Sequence, residues 1–180
     1  MTRETLNHDL VTRTGLVLHV RPVRVGDEKD LAEFFSHVTP QDLRFRFLAS
    51  MKEVSHERLS DMTHVDHHRT EHFLAFAQDG KSIIATAMVA CDAKLERAEV
   101  AISVRADDKH KGVAWELLRY VASYAEAKGV KVLESVESRE NREAIELERE
   151  QGFIAASHPE DPSLVLIRKK LGQGPEGKTA

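Results

Sequence analysis

A basic turn that contains a glycine joins a strand-like segment to the most regular amphipathic segment of the chain. The turn reads Lys-His-Lys-Gly over residues 109–112. The first N–H groups of a helix have no partner within the helix and lie at the positive end of its dipole, so they can hold a phosphate or pyrophosphate. Gly112 would let the backbone approach such an anion, and Lys109 and Lys111 would add positive charge. A solvated loop whose lysines only face water explains the same residues.

The elements on either side of this turn are the clearest in the sequence. Apolar residues recur every four positions over residues 113–128 and predict a helix that Gly129 ends. The segment before the turn, residues 98–104, alternates as a half-buried strand does and places Glu99 on the face that carries small residues. The turn therefore leads from a strand into a helix N-terminus.

Strands and helices also alternate along the rest of the chain. Four residues are placed to cap further helices: Asp27, Thr39, Ser55 and Asn141. Asp79-Gly80 predicts a tight hairpin between strands over residues 73–77 and 83–90. Other strands are expected over residues 16–20, 130–136, 153–156 and 164–167. The fold class is therefore α+β, with a mixed and mostly antiparallel central sheet flanked by helices.

The composition is that of an ordinary globular domain. Of 180 residues, 41% are hydrophobic and 31% charged, which argues against a membrane span, a coiled coil or a mostly disordered chain. Lys and Arg number 26 against 30 Asp and Glu and are interspersed with them, so the net charge of −4 disfavours a nucleic acid partner. Cys91 has no second cysteine to pair with, and no apolar leader opens the chain. We therefore expect a cytoplasmic protein.

The sequence shows no internal repeat and no linker, so one domain is enough. We predict an N-terminal extension over residues 1–15, a single domain over residues 16–171 and a tail over residues 172–180. The tail is rich in glycine and polar residues, which is the composition of a disordered end.

Two motifs resemble those of the GNAT superfamily of N-acyltransferases. The family's acyl-CoA motif has Gln or Arg, two residues, Gly, one residue, then Gly or Ala. Here Lys109 stands at its first position, Gly112 and Ala114 match, and His110 stands where many members have another glycine. The second motif, Asn-x-x-Ala, then Leu-Tyr, then Gly-Phe, is similar to the stretch over residues 141–153.

The opening of the chain is most similar to the GNAT domains of bacterial protein lysine acetyltransferases. Those domains open with Arg-Pro-Val-Arg or Arg-Pro-Ile-Arg, then Asp-Glu, then a helix with Phe-Phe. This chain has Arg-Pro-Val-Arg over residues 21–24, Asp27-Glu28 and Phe34-Phe35. The resemblance extends over about residues 16–171.

The resemblance implies acetyl-CoA as co-substrate, no metal, and a set of residues that hold the co-substrate. Backbone N–H groups around Gly112 would hold the pyrophosphate, the strand around Ser103 would polarise the thioester carbonyl, and Asn141 would contact the pantetheine arm. Asn141 as a simple helix cap is the alternative. The complete set is Ile102, Ser103, Val104, Lys109, His110, Lys111, Gly112, Val113, Ala114, Trp115 and Asn141.

The resemblance also assigns a base. A lysine amine, with a pKa near 10.4, is almost wholly protonated at pH 7 and must lose a proton before it attacks a thioester. Glu99 matches the position of the family's glutamate base; a solvated or arginine-paired strand glutamate is the alternative. Glu134 and Glu137 are second candidates, although a solvated sheet face explains them as well.

The residue expected to protonate the leaving thiolate is missing. Relatives usually carry a tyrosine after the leucine of the second motif, whereas Leu147 is followed by Glu148. An ionised carboxylate is a poor proton donor. Either the thiolate leaves with help from water or another residue, or the chemistry differs from that of the common member.

Two other groups of reactive side chains are given a structural interpretation. Five polar residues cluster in one loop: His64, Asp66, His67, His68 and His72. Their spacing suits neither a helical pair nor a known zinc pattern, so we expect a polar loop, which could line the acceptor side. Cys91 ends an apolar strand with no adjacent base, so we expect a buried thiol rather than a nucleophile.

The sequence thus predicts an enzyme that transfers an acetyl group from acetyl-CoA to a primary amine by direct attack in a ternary complex. A protein lysine is the predicted acceptor. A small amine is the alternative acceptor, and a non-catalytic acyl-CoA sensor is the alternative from another class. An exposed strand edge would also support a homodimer.

Overall fold

The computed structural model describes residues 6–172, and in these residues helices cover both faces of one eight-stranded sheet. The strands are β1 His8–Val11, β2 Val17–Pro22, β3 Thr70–Phe76, β4 Ile83–Cys91, β5 Arg97–Val104, β6 Val132–Ser138, β7 Ile154–Ser157 and β8 Leu164–Lys170. The helices are α1 Glu28–Ser36, α2 Pro40–Phe47, α3 His56–Thr63, α4 Val113–Ala127 and α5 Arg142–Glu150. Apart from Gly172, the predicted tail lies outside the described residues.

The strand order is β1-β2-β3-β4-β5-β6-β8-β7. Every neighbouring pair is antiparallel except β5 and β6, which run parallel. The predicted hairpin joins β3 to β4. The prediction of a mixed, mostly antiparallel sheet flanked by helices is confirmed.

Two of the four predicted caps act as caps, and the other two, Asp27 and Asn141, do not. The Thr39 hydroxyl accepts a hydrogen bond from the Asp42 N–H at 3.1 Å, and Ser55 caps α3 in the same way. Asp27 occupies the cap position of α1 but makes no capping bond. Its carboxylate instead binds the Arg21 guanidinium at 2.7 and 2.8 Å, because β2 brings this arginine beside it.

The apolar side chains form two clusters, one on each face of the sheet. Helices α1 to α3 cover one face, where Leu31, Phe34 and Leu74 are fully buried. Helix α4 covers the other face, where Leu117 and Leu133 are fully buried. The sheet therefore lies between two cores. Its strand β5 ends at Val104, just before the basic turn that leads into α4.

The first strand of the sheet lies within the segment predicted as an extension. β1 pairs antiparallel with β2, and the Tyr120 hydroxyl of α4 donates a hydrogen bond to the Leu6 carbonyl at 2.9 Å. No element was predicted here, because four residues without a clear alternation give little local signal. The segment forms a strand because it pairs with β2.

Strands β5 and β6 pair over only three positions and then separate. The last paired residues are Glu99 and Glu134. β5 continues for five more residues and β6 for four, and both continuations line one cavity. Backbone groups on the β6 side of residues 100–104 therefore have no strand to pair with, which leaves them for a ligand.

Candidate functional site

The turn before α4 has the backbone geometry of an anion site. His110 and Gly112 both have left-handed backbones, with φ of 61° and 80°. Left-handed residues in a turn allow successive N–H groups to converge on one point. The first helical bond joins the Glu116 N–H to the Gly112 carbonyl, so the three N–H groups before it are left over. No side chain among residues 6–172 caps this end of α4, so a ligand anion can take these donors.

The cations of the turn are not free, contrary to both interpretations of the sequence. Lys109 lies 3.1 Å from the Asp42 carboxylate of α2 and 3.6 Å from that of Glu143 in α5. His110 lies 3.1 Å from Glu143. Burial disfavours the charged amine, but the hydrogen bonds that Lys109 donates to Asp42, together with the negative charges of Asp42 and Glu143, outweigh it and raise the pKa of Lys109. An incoming phosphate must therefore compete with these carboxylates.

The remaining lysine and the residues after the turn have other roles. Lys111 pairs with Asp108 at 3.0 Å on the surface. The Val113 side chain is buried in the core under α4. Trp115 lies against the Arg13 guanidinium, with 4.3 Å to the ring centre. The backbone N–H groups of Val113 and Trp115 are among the donors left over at the helix end.

A cavity lies where β5 and β6 separate, between the ends of α2, α4 and α5. Six residues of the predicted co-substrate set line it: Ile102, Ser103, Val104, Lys109, Ala114 and Asn141. The sequence did not single out Arg46 and Asp42 of α2 or Glu143 of α5, which also line it. The spacing from Asn141 could have indicated Glu143, whereas nothing local distinguishes Arg46 from other helical arginines.

Two buried carboxyl groups share this cavity. Burial, together with repulsion from Glu148, raises the pKa of Glu137 to about 8. Burial raises the pKa of Glu148 to about 7, and the Ser135 hydroxyl beside it opposes this rise. Glu137, predicted as a second candidate base, is thus a cavity residue, whereas Glu134 pairs with Arg168 at 2.8 Å.

Arg46 brings a buried positive charge to the same wall. No ion-pair partner lies within reach of its guanidinium among residues 6–172, and its Nε has no hydrogen-bond partner there. Burial lowers the pKa of Arg46, while the negative potentials of Glu99 and Glu137 act against this. Arg46 is therefore within electrostatic range of both Glu99 and Glu137.

Glu99 lies at the edge of the cavity rather than in it. It is the last residue of β5 that pairs with β6, and its side chain is exposed. No ion pair holds Glu99 among the described residues, so the alternative of an arginine-paired glutamate is not what the structure has. Its carboxylate is open to a group that approaches the end of the cavity from solvent.

Asn141 starts α5 but does not cap it with its side chain. Its Nδ2 donates a hydrogen bond to Glu137 Oε2 at 2.7 Å instead. The amide therefore orients one of the two buried carboxyl groups, and its carbonyl oxygen remains available toward the cavity.

Side chains of the histidine-rich loop and Cys91 are held by hydrogen bonds or by burial. The Asp66 carboxylate accepts three backbone N–H bonds of 2.8 to 2.9 Å that shape the loop, and His72 is buried, with its Nδ1 bonded to the Met62 carbonyl. Cys91 is buried, and burial raises its pKa. In the described part of the chain, no three His, Cys, Asp or Glu side chains meet as a metal site would require.

Comparison with known proteins identifies the family. The model of the acetyltransferase (GNAT) family matches residues 33–153. The acetyltransferase PA5475 of Pseudomonas aeruginosa is 25% identical over 154 residues, which cover 84% of this chain and 83% of that protein. The chain belongs to the GNAT acetyltransferase family and is an acyl-CoA-dependent N-acetyltransferase. The predicted family and enzyme class are confirmed.

Solved structures show the same fold at lower identity. The GNAT domain of S. lividans PAT superposes with a TM-score of 0.87 at 24% identity and covers 95% of this chain and 100% of its own. The spermidine N-acetyltransferase of Vibrio cholerae, solved in complex with CoA and spermine, gives 0.70 at 17% identity over 85% of this chain and 95% of its own. Within residues 6–172, each helix is too short or too polar to cross a membrane.

Proposed function

We propose that the protein transfers the acetyl group of acetyl-CoA to a lysine side chain of another protein, with Glu99 as the base. The α4 N-terminus holds the pyrophosphate, and the gap between β5 and β6 holds the pantetheine arm and the thioester. The reaction takes place in the cytoplasm, with acyl-CoA and a lysine-bearing protein as the two partners.

The exposed position of Glu99 is the main support for a protein lysine as the acceptor. Its carboxylate is exposed at the end of β5–β6 pairing, next to Val100, which lines the cavity. Small ligands are usually enclosed by a concave site that covers most of their surface. A lysine on a protein surface instead reaches an exposed carboxylate through its own four-carbon stem. The similarity to the GNAT domains of protein lysine acetyltransferases supports the same choice.

The chemistry follows from these positions. Glu99 takes a proton from the lysine ammonium, directly or through water, and the neutral amine attacks the thioester carbonyl. Backbone N–H groups on the open edge of residues 100–104 stabilise the negative charge that forms on the carbonyl oxygen. The carbon–sulfur bond then breaks, and its electron pair moves to the sulfur of CoA.

The experiment measures the release of free CoA thiol from acetyl-CoA with a panel of lysine-bearing proteins and small amines. Glu99→Gln should lower kcat at least about 100-fold and leave acetyl-CoA affinity unchanged, because a general base contributes to rate and not to donor binding. Glu126→Gln is the matched control, since Glu126 is exposed near the other end of α4.

The outcomes separate the alternatives. Turnover with proteins, lost in Glu99→Gln and kept in the control, supports the proposal. Turnover with small amines alone means that the acceptor assignment is wrong. Acetyl-CoA binding without turnover on any acceptor supports the sensor alternative instead.

A further inference from the structure

One buried carboxyl group in the lining of the cavity has an oxygen that lacks a hydrogen-bond partner among the described residues. Glu148 is 6% exposed, on the side of α5 that lines the cavity with Leu147 and Ala144. Its Oε2 has no partner among the described residues. A buried carboxylate without donors is costly, whereas a neutral carboxyl group is much less so. The environment therefore favours the protonated form.

The other charged groups around the cavity support this protonation state. Glu137 of β6 faces Glu148, and two carboxyl groups that repel each other do not both ionise easily. Arg46 of α2 favours the ionised form of Glu137, but the burial of Glu137 and the repulsion from Glu148 outweigh it. The remaining cation of the cavity, Lys109, is already paired with Asp42. Burial raises the pKa of Glu148 to about 7.

Such a group matches what the leaving thiolate needs. An ordinary thiol has a pKa of about 8.5, an exposed glutamate about 4.3 and a tyrosine about 10. An exposed glutamate would hold no proton at pH 7. Glu148, with its pKa near 7, holds a proton for part of the time and transfers it to a thiolate downhill.

We infer that the Glu148 carboxyl group donates the proton that the CoA sulfur takes up as the carbon–sulfur bond breaks. This inference rests on the proposed function. The attacking ammonium loses two protons in all, the first to Glu99 and the second as the amide forms. Glu148 gives one proton to sulfur and is left as a carboxylate. One proton then returns to Glu148 and the other leaves to solvent, which restores both residues.

The test compares the pH dependence of kcat/KM between the wild type and Glu148→Gln. The glutamine has nearly the same shape but no proton to give. Dividing the two profiles cancels the ionisation of the acceptor amine and of Glu99, which both enzymes share. We expect the ratio to reach about 100 at low pH and to fall about tenfold per pH unit above the apparent pKa of the Glu137–Glu148 pair, near 7.

Two more variants make the result specific. Glu148→Tyr supplies a phenol, so its ratio to Glu148→Gln should stay level up to about pH 10. Glu148→Asp keeps an acid on a shorter arm and should retain the fall with pH at a lower rate. Glu150→Gln, on the exposed side of the same helix, should match the wild type throughout.

A structural role for Glu148 predicts different results. The ratio would then be independent of pH, and the loss would appear in acetyl-CoA affinity or melting temperature; either finding overturns the inference. A Glu148→Gln enzyme as fast as the wild type also overturns it and leaves the proposed function standing. A wild type without turnover on any acceptor defeats the proposed function itself.

Discussion

At the scale of single residues, burial sets the protonation states that matter in this protein. Burial raises the pKa of Glu137 to about 8 and that of Glu148 to about 7, and repulsion from Glu148 adds to the rise at Glu137, so both groups hold protons for part of the time near neutral pH. His72 shows the opposite case, because burial disfavours its cation and lowers its pKa to about 4. Its Nδ1 lies 2.9 Å from the Met62 carbonyl, so the neutral ring is held by one hydrogen bond.

The buried histidine predicts that the protein loses stability in mild acid. Between pH 6.5 and 4 the unfolded chain binds a proton at His72 and the folded chain does not, so lowering the pH favours unfolding. The contribution is complete above pH 6.5 and is lost as the pH falls. We expect His72 to remove about 2 kcal/mol of the free energy of unfolding between pH 7 and 5.

Urea unfolding at the two pH values measures this effect. His72→Asn keeps a donor for the Met62 carbonyl but does not titrate, so its stability should fall less between pH 7 and 5. His68→Asn is the control, because His68 is exposed, and it should behave as the wild type does. Equal losses in the wild type and His72→Asn would assign the acid sensitivity to other groups.

At the scale of elements, three helices converge on the turn before α4. Asp42 from α2 and Glu143 from α5 both form ion pairs with Lys109, so this lysine links the two helices beside the cavity. In the proposed complex, in which the α4 N-terminus holds the pyrophosphate, the same carboxylates repel the phosphates of acetyl-CoA. The pairing therefore stabilises the free protein and weakens co-substrate binding.

This competition predicts that removing one carboxylate improves binding. In Glu143→Gln, Lys109 and His110 lose a negative partner, so acetyl-CoA should bind about two- to fivefold more tightly at low salt. Titration calorimetry at two salt concentrations measures the change. Glu146→Gln on the exposed side of α5 should bind as the wild type does. Unchanged or weaker binding by Glu143→Gln would show that the carboxylate does not oppose the ligand.

The turn itself predicts a role for Gly112 that other residues cannot fill. A side chain there would have a left-handed backbone, and its Cβ would lie 3.4 Å from the Thr12 Cβ. Gly112→Ala should therefore cost about 1 to 2 kcal/mol, or several degrees of melting temperature, and weaken acetyl-CoA binding. Gly26→Ala is the matched control, since its backbone is ordinary and nothing lies within 4 Å of the added atom. Equal effects of the two substitutions would contradict this prediction.

At the scale of the whole molecule, the segment that follows β1 packs against the turn before α4. The Thr14 hydroxyl donates to the Lys111 carbonyl at 2.9 Å, and Arg13 covers the Trp115 ring. β1 continues this support through its pairing with β2. The predicted division at residue 15 therefore passes through a segment that contacts the candidate site.

Removing residues 1–14 should lower both the melting temperature and acetyl-CoA affinity, because the turn loses its support and β2 becomes an exposed edge. Thermal unfolding and titration calorimetry on the truncated chain measure the two losses. Removing residues 173–180, whose composition predicts a disordered end, should change neither quantity. A truncated chain as stable as the full one would support the predicted division into extension and domain.

Local patterns were sufficient to predict most elements and the turn. A four-residue apolar repeat specifies α4, and Thr39 and Ser55 specify the starts of two helices, because these signals act within one or two turns of chain. β1 and the ion pair of Asp27 escaped prediction, because each depends on a partner from another strand.

The sequence by itself determined the family, the order of most elements and the glycine turn before α4. Only the tertiary structure decided that Glu99 is exposed, that Lys109 is already paired and that Glu148 is buried beside Glu137. The physical reason is that desolvation and charge pairing depend on side chains from α2, β6 and α5, which lie up to about 100 positions apart in the chain. The spacing of motifs in the sequence indicates neither the desolvation nor the charge pairing of a side chain. These two effects together set the protonation states that the chemistry needs.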